Sequence, residues 1–231
     1  MARWLVQLCG ERFDLEEFPR WFPDGEVSAI EENDAFFLVG PAFEILPNAE
    51  AVLGEAVRAL DQFTAVISLL WPSLRKPTVS HVIREADGGR RDAFVFLSAS
   101  ASGRSKVHAV LGSVGETQQK PQRTQAQELL RRATGSPHLE LALSLWADQM
   151  RSWPRLYRIM EEIEQHLGKP VDAAGLCSAN QRKRLRTTAN TAEVAGADAR
   201  HATGKFDAPN NPMSLPEATE FLGQMLLSVL R

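Results

Sequence analysis

The residues of this sequence that are best suited to chemistry are an adjacent arginine and histidine, Arg200 and His201. An arginine offers a planar fork of hydrogen-bond donors, and a histidine can exchange a proton near neutral pH. Gly196 and Asp198 predict a loop here, and neighbouring side chains in a loop can point into one pocket. The pair therefore predicts an anion-binding or acid–base site. A structural role, with Arg200 bonded to helix-end carbonyls and His201 packed under the last helix, is the open alternative.

A dense cluster of positive charge precedes this loop. Four of five consecutive residues are basic, namely Arg182, Lys183, Arg184 and Arg186. Like charges so close together on a helix repel one another unless acidic residues or a bound anion lie nearby. The cluster predicts contacts with the phosphates of RNA or DNA. Two alternatives stay open: a solvated helix face, and pairing with the acidic residues 1–50.

The charges of the chain are unevenly distributed. The net charge is −3, but residues 1–50 contain eleven acidic and three basic side chains, a local balance of −8. The remaining residues carry a balance of +5. Such asymmetry is typical either of a protein with one side that faces a polyanion or of two regions that attract each other.

The other motifs of catalysis and metal binding are missing from the sequence. Cys9 and Cys177 lie far apart and fit no metal-ligand spacing, so we expect reduced, buried thiols in a cytoplasmic protein. The longest apolar run, at 65–71, is far shorter than the roughly 20 residues that span a bilayer. We therefore expect no signal peptide, no membrane contact, no cofactor and no metal.

Hydrophobic periodicity and turn residues predict an α+β protein. Strands are predicted at 3–9, 26–30, 35–39, 79–85, 92–98 and 106–112. Apolar residues at spacings of three and four predict one long helix over 48–70, which would cover a face of the sheet. Further helices are predicted at 125–133, 137–150, 154–167, 179–192 and from 215 onward. Ser178 and Ser214 are predicted to cap the last two, Ser214 in a capping box with Glu217.

The pattern divides the chain into two parts. Residues 1–115 are expected to form a domain with a mixed sheet and one long covering helix. Residues 116–124 are polar and lack periodicity, which is typical of a linker. Residues 125–231 are expected to form an all-helical bundle.

The last third of the chain, about residues 156–231, resembles a known family. The residues that carry the likeness are Thr188-Ala189-Asn190, Gly196, Ala199-Arg200-His201-Ala202 and Asn211-Pro212-Met213-Ser214-Leu215 before a final helix. This arrangement is similar to the C-terminal module of uncharacterised bacterial proteins that resemble the HEPN group of small helical bundles. The resemblance implies a homodimer and a place in an anti-phage defence or toxin system.

The resemblance also implies a candidate activity. Catalytic HEPN members are metal-independent ribonucleases in which four to six residues separate an arginine from a histidine. The adjacent Arg200 and His201 depart from this spacing, whereas Arg132 and His138 have five residues between them. The nuclease would use Arg200 with His201, or Arg132 with His138.

Three functions follow from these observations. The leading hypothesis is a non-catalytic binding or assembly protein of a bacterial defence system. It would contact RNA, DNA or another anionic partner through Arg182, Lys183, Arg184, Arg186, Arg200 and His201. The alternatives are a HEPN-type ribonuclease and a purely structural subunit of a complex. A protein partner and a homo-oligomer are expected in each case.

Overall fold

A five-stranded sheet forms one layer of the computed structural model, which describes residues 3–86, 90–95, 123–199 and 209–231. Its strands are β1 (Arg3–Cys9), β2 (Ser28–Glu32), β3 (Ala35–Val39), β4 (Thr78–Glu85) and β5 (Arg91–Val95). The order across the sheet is β2-β3-β1-β4-β5, and every described pairing is antiparallel. The α+β class is confirmed. The described sheet is antiparallel where a mixed sheet was expected. Strands β2–β3 and β4–β5 pair with their neighbours in sequence in opposite directions, and β1 runs antiparallel to both β3 and β4.

The turn between β2 and β3 is tighter than the sequence suggested. Asn33 and Asp34 adopt φ values of 53° and 59°, the left-handed conformation that a two-residue hairpin loop of type I′ requires. Strand β2 therefore continues to Glu32, which pairs with Ala35. The strand expected at 106–112 lies outside the described residues.

The long helix α3 (Ala49–Leu70) connects the sheet to the rest of the chain. Asn48 caps it by accepting a hydrogen bond from the backbone N–H of Ala51 at 2.9 Å, and Trp71 ends it before Pro72. Residues 63–68 are all buried, whereas a helix that covers a sheet on one side buries only a stripe. The second half of α3 is therefore enclosed on every side.

The other described helices cover α3 or pack on the helices and strands beside it. They are α1 (Arg12–Trp21), α2 (Pro41–Glu44), α4 (Gln125–Ala133), α5 (Pro137–Ala147), α6 (Trp153–Leu167), α7 (Ala179–Asn190), α8 (Ala192–Ala195) and α9 (Leu215–Val229), with a 3-10 turn at Gly196–Asp198. Helices α4, α5 and α9 contact α3, while α6 packs on α5 and α9. The predicted caps at Ser178 and Ser214 are confirmed as capping boxes. Although α3 spans 22 residues, no helix of the described ranges has the length and apolar character needed to cross a membrane.

One continuous apolar core runs from the sheet through α3 into the later helices. Hydrogen bonds cross the same boundary. The indole N–H of Trp146 donates to Ser68 Oγ at 3.1 Å, and the amide of Gln127 donates to the backbone carbonyl of Asp24 at 3.0 Å. Most of the expected linker lies outside the described residues, so the division into domains stays a prediction. The helical part nevertheless packs directly on the first half of the chain.

Gly40 provides a test of the chain path between β3 and α2. Its φ is +149°, and a Cβ placed there would lie 2.2 Å from the carbonyl oxygen of Glu26. Because neither the backbone conformation nor the space admits a side chain, Gly40→Ala should lower the free energy of unfolding by about 2 kcal/mol or more. Urea denaturation measures this change.

Gly54 is the matched control, since it lies inside α3 and a Cβ added to it would meet no other atom within 4 Å. Gly54→Ala should raise stability by about 0.5–1 kcal/mol through helix propensity alone. An unfolding midpoint for Gly40→Ala equal to that of the unmodified protein would contradict the described path.

Candidate functional site

The predicted basic cluster lies on α7, and its four side chains have different surroundings. Arg182 is paired inside the helical part, because its Nε lies 2.6 Å from Glu164 Oε1 and 3.5 Å from Asp172 Oδ1. Glu164 belongs to α6, so this pair ties α7 to α6. The carboxylates raise the pKa of Arg182 further above its usual range.

Arg184 binds the segment that leads into α9. Its guanidinium donates to the carbonyl oxygens of Asn211 at 2.8 Å and Pro212 at 3.0 Å, and it also binds the carboxylate of Glu217. The hydrogen bond from Arg184 holds the pKa of the Glu217 carboxyl below its usual range. On the neighbouring turn of α7, Thr188 Oγ1 accepts a hydrogen bond from the buried backbone N–H of Met213 at 3.1 Å. Arg184 therefore fixes the start of α9 on α7.

Lys183 and Arg186 differ from these two residues. Both side chains are exposed, and neither has an acidic partner among the described residues. They are three residues apart on one helix and are therefore neighbours on one face. The acids that pair with Arg182 and Arg184 come from the helical part and not from residues 1–50. Pairing thus accounts for half of the cluster and leaves Lys183 and Arg186 without an acidic partner in the described part of the chain.

The second predicted feature, Arg200 with His201, lies outside the described residues. The described chain ends at Ala199, after the 3-10 turn, and resumes at Pro209. A role for the pair in binding or catalysis stays a prediction.

The alternative nuclease pair, Arg132 and His138, has two separate carboxylate partners. Arg132 donates from Nε to Glu128 Oε1 at 3.1 Å. Together, Arg131 and Arg132 lower the pKa of Glu128 to about 2. His138, on α5, instead contacts Glu162 on α6, with 2.7 Å between Nδ1 and Oε2. Arg132, which the nuclease spacing pairs with His138, therefore binds a carboxylate on its own helix, α4.

A different arginine accompanies His138. Arg158 forms an ion pair with the same carboxylate, Glu162, which is 4% exposed, while the imidazole of His138 is 45% exposed. The three side chains lie on a groove of about 620 Å³ between α5 and α6. A neutral imidazole that donates its Nδ1–H to a carboxylate keeps Nε2 free as a base. Glu162 could not be found from the sequence, since it lies 24 residues from His138 and follows no local pattern.

A second groove, lined mainly by apolar side chains, was also missed by sequence reasoning. It lies where the end of α3, the end of α5 and one side of α9 meet, and it contains Trp146 and Arg151. Its lining comes from three distant stretches of sequence, so no single motif marks it.

The described residues contain no group of three or more His, Cys, Asp or Glu side chains that could hold a metal ion. Both cysteines are free thiols. Cys177 is half-buried, but Cys9 is exposed, in contrast to the expected burial. The reason is its place at the last position of β1, where the strand leaves the core.

Comparison with protein-family models, with curated proteins and with solved structures gives no match for this chain. The HEPN resemblance therefore stays a prediction. The function has to be inferred from the side chains that the fold brings together.

The role of Arg184 can be separated from that of its neighbour by substitution. Arg184→Ala removes charged hydrogen bonds to two carbonyls and a carboxylate, and should lower the free energy of unfolding by about 1–2 kcal/mol. Lys183→Ala removes no described contact and should change the free energy of unfolding by less than about 0.5 kcal/mol. Urea denaturation at neutral pH measures the free energy of unfolding of both variants.

The contribution of Arg184 to the free energy of unfolding also depends on pH. Because the pKa of Glu217 is lower in the folded state, its pairing stabilises the fold above the usual glutamate pKa of about 4.3. That contribution is lost as the pH falls through the folded-state pKa of Glu217. The stability gap between the unmodified protein and Arg184→Ala should therefore narrow in acid. A gap that stays constant would show that Glu217 contributes nothing to it.

Proposed function

We propose that this chain is a non-catalytic binding protein in which α7 contacts the phosphate backbone of RNA or DNA, as part of a bacterial defence assembly. The observation that carries the proposal is the exposed pair Lys183 and Arg186, which has no acidic partner in the described part of the chain. Lysine and arginine that neutralise phosphates release condensed counterions, and this release supplies most of the non-specific affinity for nucleic acid.

The internal pairs of α7 support the proposal by fixing the helix. Arg182 binds Glu164 on one side, and Arg184 binds Glu217 and the carbonyls before α9 on the other. The two exposed cations are thereby held on a helix that does not need to be ordered when a partner binds. A smaller entropic cost of binding follows from such preorganisation.

The internal pairs also limit the strength of the interaction. Two phosphate contacts predict a slope of about −1.4 to −1.8 for log K against log salt, and a third contact through Arg200 would add about −0.7 to −0.9. These values are smaller than four free charges on α7 would give. The interaction is therefore weak in a single chain, and a homo-oligomer that presents two copies of α7 would strengthen it.

Fluorescence anisotropy with labelled single-stranded RNA and DNA tests this proposal over a range of salt concentrations. The double variant Lys183→Ala with Arg186→Ala should lose most of the affinity and most of the salt dependence. The matched control, Arg20→Ala with Arg58→Ala, removes two exposed charges from α1 and α3 and should bind like the unmodified protein. Flat salt dependence, or equal losses in both double variants, would exclude the proposed contact. Absence of binding at low salt would leave the structural-subunit alternative.

The groove at His138 favours a second candidate, metal-independent cleavage of RNA. With Nδ1 held by Glu162, His138 Nε2 could take the proton of a ribose 2′-hydroxyl, whose oxygen attacks the adjacent phosphorus. The bond to the 5′-oxygen breaks, and this oxygen takes a proton from water. The products would be a 2′,3′-cyclic phosphate and a 5′-hydroxyl. Arg158 supplies the positive charge. However, Glu161, Glu162 and Glu164 also line this groove, and their negative charge opposes a phosphate. Cleavage is therefore the second candidate.

Incubation of the protein with an RNA panel in the presence of a chelator distinguishes the two functions. The binding proposal predicts intact RNA. If RNA is cleaved at this groove, His138→Ala should reduce the rate by about 100-fold or more, the usual contribution of a general base. His166→Ala is the control, because the one hydrogen bond of His166 among the described residues is to Ser136 Oγ, at 2.9 Å, and His166 does not line the groove. Equal losses in both variants would exclude His138 as the base.

A further inference from the structure

The apolar groove between α3, α5 and α9 has the dimensions of a small-molecule site. Its volume is about 630 Å³, and pockets for small ligands enclose about 300–1,000 Å³. Most of its surface is apolar, and the apolar side chains that line it are Leu69, Pro72, Trp146, Leu215, Pro216 and Leu227. The neighbouring Trp71 is 37% exposed. An occupant would therefore present mainly apolar surface.

The wall of the groove is fixed in advance. The indole of Trp146 is 5% exposed, and its N–H donates to Ser68 Oγ at 3.1 Å, while Ser68 donates to the carbonyl of Ala65 at 2.9 Å. From the opposite side, Gly223 on α9 approaches so closely that a Cβ would lie 2.9 Å from Trp146 Cη2. The indole therefore has one position, and the groove does not have to rearrange when it is filled.

A positive charge lies at one end of the groove. The guanidinium of Arg151 stacks over Trp146, with 4.2 Å from Cζ to the ring centroid. Its Nη1 donates to the backbone carbonyls of Trp146, at 2.8 Å, and Asp148. No carboxylate in the described part of the chain lies within ion-pairing distance of it. Nε and Nη2 have no hydrogen-bond partner there either.

Burial makes this charge unfavourable without a partner. Removal from water lowers the pKa of the Arg151 side chain. The charge of Asp148 opposes this lowering, but its carboxylate is paired with Arg155. A partly desolvated cation gains most from an anion that reaches its free N–H groups.

The α9 side of the groove has the opposite polarity. Glu220 lies there and accepts a hydrogen bond from the amide of Gln224 at 3.2 Å. Its carboxylate would repel an anion close to α9 and would disfavour a group with two negative charges. The negative head of an occupant is therefore restricted to the end near Arg151.

We propose that this groove binds a small amphipathic carboxylate. The apolar body lies against Leu215, Leu227 and the indole of Trp146, and the carboxylate accepts hydrogen bonds from the free N–H groups of Arg151. A simple alcohol of the same length would fill the apolar part but would not satisfy the guanidinium. An amine of the same length would be repelled by it.

Isothermal titration calorimetry with decanoate, decan-1-ol and decylamine tests this assignment on the full chain. Decanoate should bind about tenfold more tightly than decan-1-ol, and decylamine more weakly than either. Arg151→Gln should remove the tenfold preference and leave the affinity for decan-1-ol unchanged. Arg20→Gln is the control, because Arg20 is an exposed arginine of α1 outside the groove, and it should keep the preference.

Arg151 also binds carbonyls at the end of α5, so a second variant that leaves α5 intact completes the test. Gln224→Glu, at an exposed position of α9, adds a negative charge to the groove. It should lower the affinity for decanoate at least threefold and leave the affinity for decan-1-ol unchanged. Equal affinities for the acid and the alcohol, or no response to either variant, would overturn the proposal. A different result would also overturn it. The groove would instead bind a second copy of the chain if no carboxylate binds and sedimentation shows a concentration-dependent dimer that Leu227→Glu abolishes.

Discussion

The rest of the structure depends on the enclosure of the second half of α3. Residues 63–68 are buried in succession, so the helix has the sheet on one side and the later helices on the other. Neither layer covers its apolar surface without α3, and α3 in turn needs both. Burial on every side also includes polar residues, of which Ser68 is satisfied by Ala65 and Trp146. The sheet and the helical part therefore share one core.

Local features of the fold could be predicted from the sequence, because they depend on interactions between residues close in the chain. Helix α4 and the capping boxes at Ser178 and Ser214 are such features. The enclosure of α3 could not be predicted in this way. Thr64, Ala65 and Ser68 are small or polar and add nothing to an apolar stripe, yet small side chains are what allow neighbouring elements to approach a helix from a second side. Periodicity thus predicts the helix but not how many layers contact it.

The candidate sites can also be divided into features that the sequence indicates and features that depend on tertiary packing. The basic run on α7 can be recognised from the sequence, but its partition into paired and unpaired charges depends on Glu164 and Glu217, which lie far away in the chain. The link between His138 and Glu162 joins two helices, and the groove beside Trp146 joins three elements. Such contacts are set by tertiary packing, for which a single sequence carries no local signal.

The meeting point of Leu69, Trp146 and Gly223 also has a consequence for the order in which the chain folds. These residues are separated by most of the sequence, yet they close the same side of α3. During synthesis, α3 leaves the ribosome before α4, α5 and α9 exist, and the side of α3 that these helices cover stays exposed until they have been made. Contacts of such high sequence separation form slowly, and exposed apolar surface in the meantime favours aggregation. The nascent chain therefore exposes apolar surface along α3 until the helices that follow it in the chain have been made.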